Sequence, residues 1–130
     1  MLHILTSIKN FGGFKMGVLS TSPINMDNCI QACLNCARAC EECTTACLQE
    51  PDVQARIRCI QTLVDCAETC FQSAALMSRN STFASQHCQI CATICEACAV
   101  ECEKFTDDHC QECAKICREC AESCRNMATS

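Results

Sequence analysis

From residue 29 onward the chain alternates a small apolar side chain with short polar stretches, and the apolar positions recur at steps of three and four. Such a repeat averages 3.5 residues, so on an α-helix the apolar positions form one continuous stripe. Arg38, Glu41, Glu42, Glu101, Glu103, Arg118 and Glu119 fall between the stripes and read as a solvated outer face. The first striped segment spans about residues 25–49 without a helix breaker and ends at Glu50-Pro51-Asp52. Proline is tolerated in the first turn of a helix and aspartate favours that end of the dipole, so a second helix is predicted to begin there and to reach about Ser78. Arg79-Asn80-Ser81-Thr82 is a short polar turn with capping side chains, followed by a third helix to about Phe105. Thr106 with Asp107 and Asp108 supplies a cap and an acidic first turn for a fourth helix reaching about Met127. Helices of roughly 20 to 27 residues joined by very short turns pack as antiparallel neighbours. The predicted fold is therefore all-α, an up-down-up-down four-helix bundle.

The residue that makes the stripes is cysteine. Nineteen cysteines fall into four groups: Cys29, Cys33, Cys36, Cys40, Cys43 and Cys47; Cys59, Cys66 and Cys70; Cys88, Cys91, Cys95, Cys98 and Cys102; and Cys110, Cys113, Cys117, Cys120 and Cys124. Trp and Tyr are absent and Phe is scarce, so cysteine takes the place of leucine in a cysteine-lined core. The last two helices read as a repeat, because CQICATICEACAVEC and CQECAKICRECAESC carry cysteine at the same offsets. The second helix departs from the pattern: its register Arg56, Cys59, Leu63, Cys66, Cys70, Ser73, Met77 mixes in apolar and polar residues. Leu63 reads as a packing spacer, and fewer metal ions are expected along this helix.

Residues 1–24 contain no cysteine, all three glycines and one of the two prolines, and are expected to form a flexible arm outside a metal-binding domain over 25–130. Phe11 and Phe14 are candidates for docking the arm, and His3 is a bystander within it. The segment is broken by Lys9, Asn10, Gly12, Gly13, Lys15 and Gly17, which does not fit a secretory signal, and no stretch approaches the roughly 20 apolar residues of a membrane span. A reducing cytoplasm, where thiols stay available for metal, is the expected compartment. The net charge of −5 is interspersed along the chain, so no basic face offers itself to a nucleic acid.

Thiols along helices differ from those of a secreted disulfide scaffold. Neighbours on one helix face stand roughly 5 to 6 Å apart at Cβ, wider than the about 3.8 Å a disulfide prefers, and the count is odd. Two residues at i and i+3 or i+4 do stand close enough for their sulfurs to converge on a metal. Cu(I) is soft and favours thiolate, whereas zinc prefers a closed tetrahedron of four ligands, and the second helix offers only three cysteines. Charge discriminates further. Nineteen thiolates holding a similar number of Cu⁺ ions come out near neutral, whereas sharing them four to a Zn²⁺ leaves roughly nine or ten negative charges in the core. The cysteine stripes themselves offer no lysine or arginine as compensation. No cysteine precedes a proline as in a ferredoxin run, and straight stripes spread thiolates along the helix instead of gathering four. No cysteine stands out from its repeat as a catalytic thiol would, so no enzyme is expected.

Antiparallel topology places the start of the first helix, the end of the second, the start of the third and the end of the fourth together. That end gathers Met26, Met77, Met127 and His87 around Cys29, Cys88 and Cys124, as thioether and imidazole candidates for copper. The opposite end gathers Cys47, Cys59, Cys102, His109 and Cys110, with Phe105 as a plug. His87 and His109 each precede a cysteine by one position and so stand about 100° off the stripe, where solvent is the default.

The run CxxxCxxCxxxCxxCxxxC over Cys29–Cys47, with CxxCxxxCxxCxxxC over Cys88–Cys102 and again over Cys110–Cys124, resembles the bacterial copper storage proteins. The resemblance covers about residues 25–127. It implies a bundle that binds many Cu(I) ions on core cysteines, commonly as a homotetramer, and in the cytosolic branch a role in sequestering surplus copper. A zinc or other soft-metal buffer and a copper chaperone are the alternatives; largely interior thiols favour capacity over exchange.

Overall fold

The computed structural model describes residue 18 and residues 24–129; the rest of the predicted arm, with His3, Phe11 and Phe14, lies outside the described residues. Four α-helices follow one another: α1 (Ile24–Leu48), α2 (Ile57–Ser78), α3 (Ala84–Cys102) and α4 (Asp108–Thr129), with a 3₁₀ turn at Val53–Arg56 before α2. Each helix packs against its two neighbours in the ring α1, α2, α3, α4, which is the expected antiparallel four-helix bundle. Among the described residues no helix is long and apolar enough to cross a membrane.

The α1–α2 connection differs from the prediction. Instead of continuing as α-helix from Pro51, the chain makes tight i to i+3 hydrogen bonds, Val53 N to Glu50 O at 3.2 Å and Ala55 N to Asp52 O at 2.9 Å, and α2 starts only at Ile57. Asp52 does not cap the turn; its carboxylate accepts from Arg56 Nε at 2.7 Å instead. At the α2–α3 turn, Asn80 adopts the left-handed conformation (φ 56°). Ser81 N donates to Leu76 O at 2.9 Å and Asn80 N to Met77 O at 3.0 Å, the paired bonds of a Schellman cap that asparagine tolerates. Ser81 Oγ then accepts from Phe83 N at 3.1 Å at the start of α3. Helix α3 stops at Cys102, three residues before the predicted end, and Phe105 lies in the connection. The capping position of α4 falls on Asp107, whose carbonyl accepts from Gln111 N at 3.1 Å. Its carboxylate is thereby free for a tertiary partner.

All nineteen cysteines are buried. They share the interior with small alanines, including Ala37, Ala67, Ala92, Ala99, Ala114 and Ala121, which leave room for close helix approach. Leu63 and Met77 are the largest fully buried side chains. A core of thiols and alanines holds little hydrocarbon, so its few large side chains carry a disproportionate part of the apolar burial. Replacing Leu63 by alanine is expected to cost the metal-free protein about 2–5 kcal/mol, measured as a drop in the midpoint of urea denaturation.

Candidate metal centre

The stripes of the four helices meet along the bundle axis, and their sulfurs interleave. Cys33 Sγ lies 3.6 Å from Cys124 Sγ, which is 3.8 Å from Cys29 Sγ. In the middle, Cys36 is 3.8 Å from Cys66 and 3.7 Å from Cys117, and Cys66 and Cys70 each stand 3.6 Å from Cys95. Cys40 is 3.7 Å from Cys117 and Cys59 is 3.8 Å from Cys102. Two metal–sulfur bonds of about 2.3 Å hold their sulfurs roughly 3.8 Å apart at a tetrahedral angle and roughly 4.6 Å apart when linear. The metal-free spacing is therefore already near that of a bent dithiolate site. It is far from the about 2.0 Å of a disulfide, and all nineteen are free thiols.

Helices meeting side by side also correct one expectation. Read singly, each stripe spreads its thiols out, yet neighbouring helices bring four together with all ligand atoms within 4.8 Å of one another: Cys36, Cys66, Cys70 and Cys95 form one such group, and Cys33, Cys91, Cys120 and Cys124 another. Four-thiol geometry is thus present, and the discrimination against zinc rests on charge alone.

Thiol–thiol hydrogen bonds raise some of the buried cysteines and lower others, among them Cys36 and Cys91. The Cys70 thiol is pushed up by Cys120, with Cys33, Cys36, Cys66 and burial adding to it. Cys102 and burial do the same for Cys59. A metal ion that binds here must displace protons as it enters.

The two ends of the column differ. At one end, where Cys88 lies with Cys29 and Cys124, the helix ends carry Met77 and Met127, both buried, and Met26, a half-buried side chain packed against the core. His87 turns to α2 rather than to a sulfur, with Nδ1 2.7 Å from the Oγ of buried Ser73. At the other end His109 leans inward. Its Nδ1 lies 3.5 Å from Cys43 Sγ and 3.6 Å from Cys110 Sγ, and Cys43, Cys47, Cys110 and His109 form a compact group of four donors. Its Nε2 stands 2.9 Å from both Glu50 Oε2 and Asp107 Oδ2. That nitrogen carries one hydrogen at most and aligns it on Glu50, so Asp107 Oδ2 is left without a hydrogen bond. Donation from Nε2 leaves the Nδ1 lone pair facing the sulfurs, the arrangement of a carboxylate-oriented histidine ligand.

Arg56 overturns the expectation that the thiols have no cation beside them. Its side chain is 6% exposed, with Nη1 3.5 Å from Cys110 Sγ and 3.7 Å from Cys47 Sγ, Nη2 2.8 Å from Asp107 Oδ1, and the guanidinium 4.4 Å over the Phe105 ring. Phe105, expected as a plug, packs against the core and forms a platform for the cation. The sequence signal was the place of Arg56 in the core register read for the second helix, where Ser73 also stands, although Arg56 itself ends the 3₁₀ turn before α2. Glu50, Asp52 and Asp107 carried no such mark.

The Arg56 guanidinium holds the Asp107 carboxyl well below the usual carboxylate range. A lowered folded-state value contributes stability that is complete above the unfolded value of about 3.9 and is lost as the pH falls toward the folded one. The metal-free protein is therefore expected to lose stability in urea as the pH drops below about 4, and Asp107→Asn to flatten that part of the profile.

A model of the copper storage protein family matches residues 22–129. The Cu(I)-bound copper storage protein 3 of Bacillus subtilis is 46% identical, with 80% of this chain and 98% of that chain covered at a TM-score of 0.76. A cytosolic copper storage protein of Streptomyces lividans, solved with five coppers, is 39% identical over 82% of this chain and 93% of that one, TM-score 0.79. The Streptomyces lividans protein loaded with 10 copper equivalents is 37% identical over 88% and 92%, TM-score 0.80. Against curated proteins the chain finds no match.

Proposed function

The chain belongs to the copper storage protein family, and from that premise we propose that it binds and stores many Cu(I) ions on the cysteine thiolates of its bundle core. The observation that carries this reading is the continuous column of buried free thiols at 3.6 to 3.9 Å from one another. Each thiol that loses its proton to a Cu⁺ leaves the interior near neutral, so filling can proceed along the whole column.

The metal-binding unit is the bundle over 25–130, with the nineteen cysteines as ligands and His109 Nδ1 completing the Cys43, Cys47 and Cys110 group. Met26, Met77 and Met127 supply thioether ligands at the opposite mouth, where His87 has Nε2 left to offer. The protein works as a store in the cytoplasm and catalyses no reaction. The cytosolic Streptomyces lividans relative supports the compartment. It assembles as a homotetramer, for which exposed Leu34 and Leu48 on α1 and Ile57, Val64 and Phe71 at seven-residue spacing on α2 provide an apolar outer face. Light scattering that returned the mass of a monomer would dismiss the assembly without touching the storage reading.

Anaerobic titration of the reduced protein with Cu(I) against a competing chelator is expected to end at about ten ions or more per chain, with thiols protected in step. Saturation at one to four ions would mean a chaperone or a zinc buffer instead. Serine at Cys36, Cys40, Cys95 and Cys117 together is expected to lower the capacity by several ions while the helical circular dichroism is kept; unchanged capacity would show that the interior layers hold no copper.

A further inference from the structure

We infer that Arg56 is a positioning residue for copper at the His109 end, holding Cys47 and Cys110 by hydrogen bonds so that their remaining lone pairs serve a metal shared with Cys43 and His109. The inference rests on the storage reading above. It starts from a cost: a buried guanidinium is tolerated only when its N–H groups are bonded and its charge is met. Two edges are fixed from outside the core. Nε donates to Asp52 in the turn before α2 at 2.7 Å, and Nη2 donates to Asp107 at the start of α4 at 2.8 Å. One face lies on Phe105. The remaining nitrogen, Nη1, then meets Cys47 and Cys110, at nearly equal distances from two sulfurs that are themselves 3.6 Å apart.

A copper ion shared by those two sulfurs also has to stand close to the plane midway between them. The guanidinium occupies one approach to that plane, and two cations would repel each other there, which would leave a copper ion to the group that Cys43 and His109 complete. Cys43 Sγ is 3.9 Å from both Cys47 and Cys110, which suits a shared metal. Hydrogen bonds from Nη1 engage a lone pair on each of Cys47 and Cys110, which would leave these two sulfurs fewer lone pairs to offer a metal. Three thiolates and a neutral imidazole around one Cu⁺ are anionic. The guanidinium charge as a whole is met by Asp52 and Asp107, so what Nη1 adds is local: charge-assisted N–H to sulfur bonds that stabilise the two thiolates it touches.

The test is a double-mutant cycle on the copper-loaded protein, with Cu(I) withdrawn by graded bathocuproine disulfonate and helicity followed alongside. Arg56→Gln is expected to weaken a small subset of the ions by about 10–100-fold, as loss of an outer-shell partner does, and to have no such effect in the Cys47→Ser/Cys110→Ser background. Arg56→Lys keeps a cation but cannot hold two carboxylates and two sulfurs at once; it is expected to fall between the two, and it serves in the cycle if the glutamine variant loses its helicity. Equal retention by wild type and Arg56→Gln, or an equal loss in both backgrounds, overturns the inference. A wild-type protein that takes up no copper overturns instead the storage reading on which it stands.

Discussion

Charge balance inside a closed bundle is the constraint from which the other features follow. Nineteen thiols can be buried because they are neutral, and they can become ligands only if each departing proton is replaced by a charge of the same size. A monovalent soft cation meets that condition wherever copper ions match thiolates in number. A divalent ion held by four thiolates does not, even though the helices bring four sulfurs within 4.8 Å of one another in several places. Geometry here is permissive and electrostatics selects.

The same constraint explains the unusual interior. Side chains as small as cysteine and alanine fill a bundle with little hydrocarbon, and the packing that leucine ladders normally provide is concentrated in a few residues such as Leu63 and Met77. Leu63 occupies a core position of α2 at which the other helices carry sulfur, so capacity is exchanged there for cohesion in the metal-free state. Metal–sulfur bonds linking different helices would supply the remaining cross-bracing as the column fills.

The ends of the column are finished differently. Thioethers and a serine-bonded histidine flank one end. At the other, Glu50 orients His109, while Asp52 and Asp107 orient Arg56, so an imidazole and a guanidinium both meet the same pair of thiol-bearing helices. Carboxylates at that end thus serve as orienting groups: each turns a nitrogen of a neighbouring side chain toward sulfur. All three carboxylates sit in the connections, so no acidic side chain stands in the column itself.

Periodicity alone determined the four helices, their antiparallel order, the burial of every cysteine and the core positions of Leu63, Ser73 and Met77, because a 3.5-residue repeat dictates which side of a helix faces inward whatever it packs against. The gathering of thiols in fours was decided by tertiary structure, since it depends on how far neighbouring helices slide and rotate against each other. So were the different fates of the two histidines. His87 and His109 have the same sequence relation to a cysteine, yet one finds Ser73 and the other finds Glu50 and two sulfurs. Arg56 stood in the core register from the start, but its inward turn requires carboxylates from two separate connections and a ring from one of them. Such a cage is made of residues distant along the chain, and no local repeat encodes it.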